Sequence, residues 1–138
     1  MIFNSLTESM GADYIAVLRP RLTDAQKAAA LARAFSHVGK PYDFEFDFSS
    51  SDKLVCTELV YQSYDGLLHL DGYMQQIVGR PAIPALQFCR KFADERGKPG
   101  QELDFVLFLD AVPDKGTARL AGEDDFCASA DRPRGFNE

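Results

Sequence analysis

Positive charge is scarce in this chain and nowhere gathered. Against 21 Asp and Glu stand 15 Lys and Arg, a formal net charge of −6 over 138 residues, and no run of cations offers the phosphate-binding surface a nucleic-acid binder needs. Cysteine is scarce too. Cys56, Cys89 and Cys127 are odd in number and lack metal-ligand spacing, which argues against a zinc site and a disulfide framework and fits reduced thiols. No apolar run is long enough to span a bilayer, and the start, MIFNSLTESMGADY, has neither the basic region nor the apolar core of a signal peptide. As written, the product is expected to stay in the cytoplasm. There is no internal repeat and no Gly-rich phosphate loop, so no cofactor is expected. Only two histidines, His37 and His69, are available for proton transfer near neutral pH.

What the chain does have is a core-forming composition, 46% hydrophobic, enough for one domain. The expected domain covers residues 1–113. Residues 114–138 show no periodicity and read as a loosely ordered polar tail. Residues 14–18, YIAVL, read as a short core strand stopped by Arg19-Pro20. Thr23 and Gln26 then form a capping-box pattern that starts a helix, with Ala28, Leu31, Phe35 and Val38 as its apolar face. Gly39 is placed to end it in a left-handed conformation, and Pro41 prevents its continuation. Farther on, Ile77 and Val78 read as a short strand. Pro84 opens a helix carrying Leu86, Phe88, Cys89 and Phe92, and residues 105–109, FVLFL, read as a buried strand.

The richest stretch is residues 39–64, GKPYDFEFDFSSSDKLVCTELVYQSY. Aromatics at Tyr42, Phe44, Phe46 and Phe48 alternate with Asp43, Glu45 and Asp47, the period of a half-buried extended segment. Turn and cap residues at 49–52 precede a helix in which Cys56, Leu59, Val60 and Ser63 share one face. Cys56 is therefore expected in the first turn, on the inward side. The helix N-terminus stabilises a thiolate, which makes Cys56 a candidate nucleophile; the other reading is inert core filling. Glu58 lies about 200° around the helix from Cys56 and should not touch the thiol. It either binds a neighbouring loop or favours the helix start through its charge.

This stretch resembles the permuted NlpC-type cysteine hydrolases, the YiiX/YebB-like branch of the papain-like superfamily, whose motif reads G-x-P-Y-D-x-x-F, a short gap, then C-[ST]-E-L-V. Gly39, Pro41, Tyr42, Asp43, Phe46, Cys56, Thr57, Glu58, Leu59 and Val60 match it in order. The resemblance implies an α+β papain-like fold, with the nucleophile-bearing helix packed on a small antiparallel sheet and Cys56 as nucleophile. It implies a substrate that is a peptide, another amide or a lipid ester. Asp43 becomes a supporting residue, positioning the loop before the nucleophile or facing the cleft, with local capping equally open. Tyr42 is expected to pack, its hydroxyl satisfied.

The resemblance also implies a histidine upstream of the cysteine, which neither histidine here supplies. His37, in SHVGK, ends the first helix rather than beginning a strand, and His69 lies downstream. The start, MIFNSLTESMGADYIAVLRP, resembles the region just after the histidine-bearing strand of such domains. The expectation is a domain lacking that strand, through a misplaced start or through genuine loss. Two functions follow. One is a cysteine hydrolase working through an acyl-enzyme; the other is a catalytically silent remnant serving as a binding module. Loss of the strand would expose a sheet edge and favour homo-oligomers.

Overall fold

The Thr23 capping box, the Cys56 helix and the FVLFL strand all form in the computed structural model, which describes residues 1–12, 14–44, 52–77, 79–112 and 115–132. In chain order the elements are α1 (Leu6–Ser9), β1 (Ile15–Pro20), α2 (Asp24–Ser36), α3 (Cys56–Ser63), a 3-10 turn (Asp71–Tyr73), β2 (Gln75–Ile77), β3 (Arg80–Ala82), α4 (Ala85–Glu95), β4 (Leu103–Val112), β5 (Thr117–Ala121) and α5 (Glu123–Ser129). The architecture is α+β, as expected. The chain divides into two compact units, Met1–Ser5 with Leu22–Phe88 and Leu6–Arg21 with Cys89–Glu138.

In the first unit, α2 opens on the full capping box: the Gln26 backbone N–H donates to the Thr23 hydroxyl, and the Thr23 N–H donates to the Gln26 side chain. Its end is likewise as read, with His37 at the C-cap and Gly39 in the left-handed region at φ 91°. The face is not. Leu31, Phe35 and Val38 are exposed, while Ala30 is buried and Lys27, Ala34 and His37 are half-buried. The small side of the helix turns inward because α2 packs closely on α3, where alanine allows near approach. Phe35 instead meets the ring of Phe3, itself exposed. β2 and β3 form a two-stranded antiparallel hairpin with Ile77 opposite Arg80; Val78 lies outside the described residues. So does most of the alternating aromatic-acidic segment, from Glu45 to Phe48, together with the serines that follow it.

In the second unit, a three-stranded antiparallel sheet runs in the order β1-β4-β5, with a bulge between Val17 and Leu18. β1 is thus an edge strand rather than a core strand. It continues through Arg19 and Pro20, which a strand with one free side accommodates. Phe92 of α4, Phe105 and Phe108 of β4 and Phe126 of α5 form an aromatic cluster with ring centroids 5.5 to 6.2 Å apart. Each buried ring contributes roughly 1.5–3 kcal/mol.

That cluster corrects the expectation of a loose tail. β5 pairs with β4, α5 follows, and Ala121, Phe126 and Ala130 are buried. A five-residue strand and a seven-residue helix anchored by one aromatic ring leave no periodic pattern to read. Ions tie the same region together. The buried Asp110 carboxylate accepts from both Arg119 and Arg132, which hold its pKa below the ordinary carboxylate value.

Candidate active site

The site is built on the entry to α3. Gly39 donates its N–H to the Met1 carbonyl at 2.8 Å, and the Leu54 N–H donates to Pro41 at 3.0 Å. The Asp43 N–H donates to Leu54 at 3.2 Å, making Tyr42 and Leu54 a parallel bridge. The chain is thereby clamped just before the helix. Val55, with extended backbone, is the N-cap and provides no side-chain cap. Cys56 is the first helical residue.

Cys56 is exposed, not inward. It opens onto a cavity of about 480 Å³ whose lining includes Ile2, Pro41, Tyr42, Leu54 and Leu59. The buried side of α3 is formed by Glu58 and Ser63, and Val60 is 36% exposed. The helix is rotated relative to the apolar stripe because Leu54 and Val55, just before it, are the apolar residues that enter the core. For a nucleophile this is the accessible arrangement. The thiol stands at the positive end of the helix dipole, beside a concave, largely apolar surface.

The other sequence candidates separate. Tyr42 lines the cavity, 45% exposed, with its ring edge-on to Phe44 at 4.9 Å. Asp43 and Glu58 are buried at 1% and 0% exposure, and neither lines the cavity. Glu58 Oε1 accepts from Gln62 at 2.7 Å, whereas Oε2 has no partner among the described residues. Burial, then the nearby Asp43 charge, raise the Glu58 pKa against hydrogen bonding from the Val55 backbone and Gln62 and the charge of Lys40.

Neither histidine lines the Cys56 cavity. His37 borders a polar cleft with Arg33, Ser36, Tyr61, Gln62 and Asp65. Its Nδ1 is buried without a partner among the described residues, and burial followed by the Lys40 charge lowers its pKa. His69 is exposed and borders a smaller pocket of about 170 Å³, together with Tyr61 and Asp71. There the Tyr61 hydroxyl donates to Asp71 at 2.7 Å, and its pKa is pushed up to about 12. Lys40 and Ile2 were missed as cavity residues. Lys40 at least stood inside the GKPYD string, next to the residues singled out.

Compared with known families, residues 2–96 match the permuted papain-like amidase enzymes, the YaeF/YiiX or C92 family. The chain belongs to the permuted papain-like amidases. The match takes in Tyr42, Asp43, Cys56, Glu58 and both histidines, and stops before β4. Comparison with curated proteins and with solved structures gave no match. A cysteine hydrolase is therefore the family-level reading of the chain. Among the described residues no helix is long and apolar enough to cross a membrane.

Proposed function

We propose that this amidase-family member is a cysteine hydrolase of the NlpC-type, YiiX/YebB-like branch, with Cys56 as its nucleophile. The Cys56 thiolate attacks the carbonyl of an amide, peptide or acyl ester, and the tetrahedral oxyanion collapses to a thioester as the leaving amine or alcohol takes up a proton. Water then cleaves the thioester, yielding the acid and the free thiol. The observation that carries this reading is an exposed thiol at the first residue of α3, opening onto an apolar cavity inside the family-matched span. Tyr42 serves as a wall for the bound acyl part, and Asp43 and Glu58 act from beneath.

The test is the rate of Cys56 alkylation by iodoacetamide against pH, followed by peptide mass spectrometry. A midpoint well below the ordinary thiol value of about 8.5 is expected. A midpoint at or above that value removes the enzyme reading. One observation favours the second reading, a silent binding module: neither histidine borders the Cys56 cavity. That reading couples to self-association through the open edge of β1, and a monodisperse monomer in light scattering counts against it.

A further inference from the structure

A carboxyl group lies fully buried on the first turn of α3. Glu58 has no exposed surface, and its position two residues past Cys56 turns it inward while the thiol faces the cavity. One carboxyl oxygen is held by Gln62, and the other is solvent-excluded with no partner among the described residues. Asp43, 1% exposed, belongs to the short segment that backbone hydrogen bonds fasten to Leu54, two residues before Cys56.

We propose that Glu58 is a positioning residue for Cys56: its carboxyl, buried under the first turn of α3 near Asp43, sets how the helix start sits on the 41–43 segment. The inference rests on Cys56 being the nucleophile, but its test does not require turnover. Pro41, Tyr42, Leu54 and Val55 line the same cavity as Cys56. A shift of the helix start against that segment therefore moves the wall relative to the sulfur.

Burial favours the neutral acid over the carboxylate here. An ionised Glu58 would leave one charged oxygen unpaired in a solvent-excluded place and would repel Asp43, whereas the protonated form removes the repulsion and carries a hydrogen-bond donor. The other groups acting on it are the Val55 backbone, Gln62 and Lys40, which follows α2; all three favour ionisation and are outweighed by burial together with the Asp43 charge. The sign follows from linkage. The folded-state pKa lies above the ordinary value, so the stabilisation is complete below that ordinary value and is lost as pH rises through the raised one.

The experiment compares Cys56 alkylation against pH in the wild type, Glu58→Gln and Glu58→Ala, with folding checked by circular dichroism. Glu58→Gln, an isosteric neutral side chain, is expected to keep the high-pH plateau rate within about twofold or raise it, and Glu58→Ala to lower it about tenfold through lost orientation. An Ala profile that overlays the wild type overturns the proposal, and so does a Gln variant as slow as the Ala variant. Should Glu58→Ala not fold, Glu58→Gln decides alone: a plateau more than about twofold slower than wild type overturns the proposal, and one within about twofold or faster supports it. The midpoint of the wild-type curve judges the nucleophile, and the ratio between variants judges Glu58, so the two failures are distinguishable.

Discussion

Lys91 and Glu58 both have ionisable side chains with no exposed surface, and their surroundings are opposite in kind. Lys91, on α4, donates to Glu95 one turn along and to Glu102 at 2.6 Å, while Glu95 also accepts the Glu102 backbone N–H at 3.1 Å. Glu58 accepts from Gln62 and is also acted on by the Val55 backbone, but its Oε2 has no partner among the described residues. A buried charge is tolerated when its lone pairs and protons are met. The cluster around Lys91 meets that condition and joins the end of α4 to the start of β4. The Glu58 site, under Cys56, does not meet it in the ionised form. A completed network holds a fold, whereas an incomplete one makes its neighbourhood responsive to protonation.

The contrast can be broken most forcefully at Lys91. Lys91→Ala leaves two carboxylates facing each other without a cation and is expected to destabilise by about 3–5 kcal/mol. Urea denaturation measures it, and a loss below about 1 kcal/mol would dissolve the distinction. Asp110→Asn is expected to cost less, about 1–2 kcal/mol, because its arginine partners remain partly solvated. It also changes the acid limb. The Asp110 pKa is lowered, so its stabilisation is present above the ordinary carboxylate value and disappears as pH falls through the lowered one. Thermal melts between neutral pH and pH 2 should show a steeper decline for the wild type than for the variant.

The smallest effect belongs to the incomplete site. Glu58→Gln should match or exceed the wild-type midpoint at neutral pH and lose any advantage below about pH 4, where the wild-type carboxyl is protonated in both states. A Gln variant as damaged as Lys91→Ala would show that the two sites are built alike.

Element starts were legible in the sequence because they are local chemistry. Thr23 and Gln26 sit three residues apart and cap each other, and Gly39 is where a left-handed residue is needed. Faces were not. Periodicity counts apolar letters, so it assigned the Leu31, Phe35 and Val38 stripe and the Cys56, Leu59 and Val60 stripe to the core. The packed sides instead carry Ala30 in one helix and Glu58 with Ser63 in the other. Charge likewise hid Lys91, which any single-residue rule assigns to solvent. The second unit's last helix was invisible for a related reason: its first turn is Glu123, Asp124 and Asp125, which reads as tail. Its attachment depends on one ring, Phe126. The Cys56 motif was legible as a family mark, but which groups stand beside the sulfur depends on the clamp between residues 41–43 and Leu54, a contact across more than ten positions.

That clamp has a consequence for how such a site can diversify. Two backbone hydrogen bonds at Leu54 fix both ends of the connection that begins after Asp43, and main-chain groups make them whatever side chains the connection carries. Doubling the length of a flexible connection costs only about 0.6 kcal/mol in closure entropy. Insertions between Asp43 and Leu54 are thus nearly free energetically and leave the thiol where it is. In evolutionary terms, the length of the connection can change while the position of the Cys56 thiol is inherited unchanged.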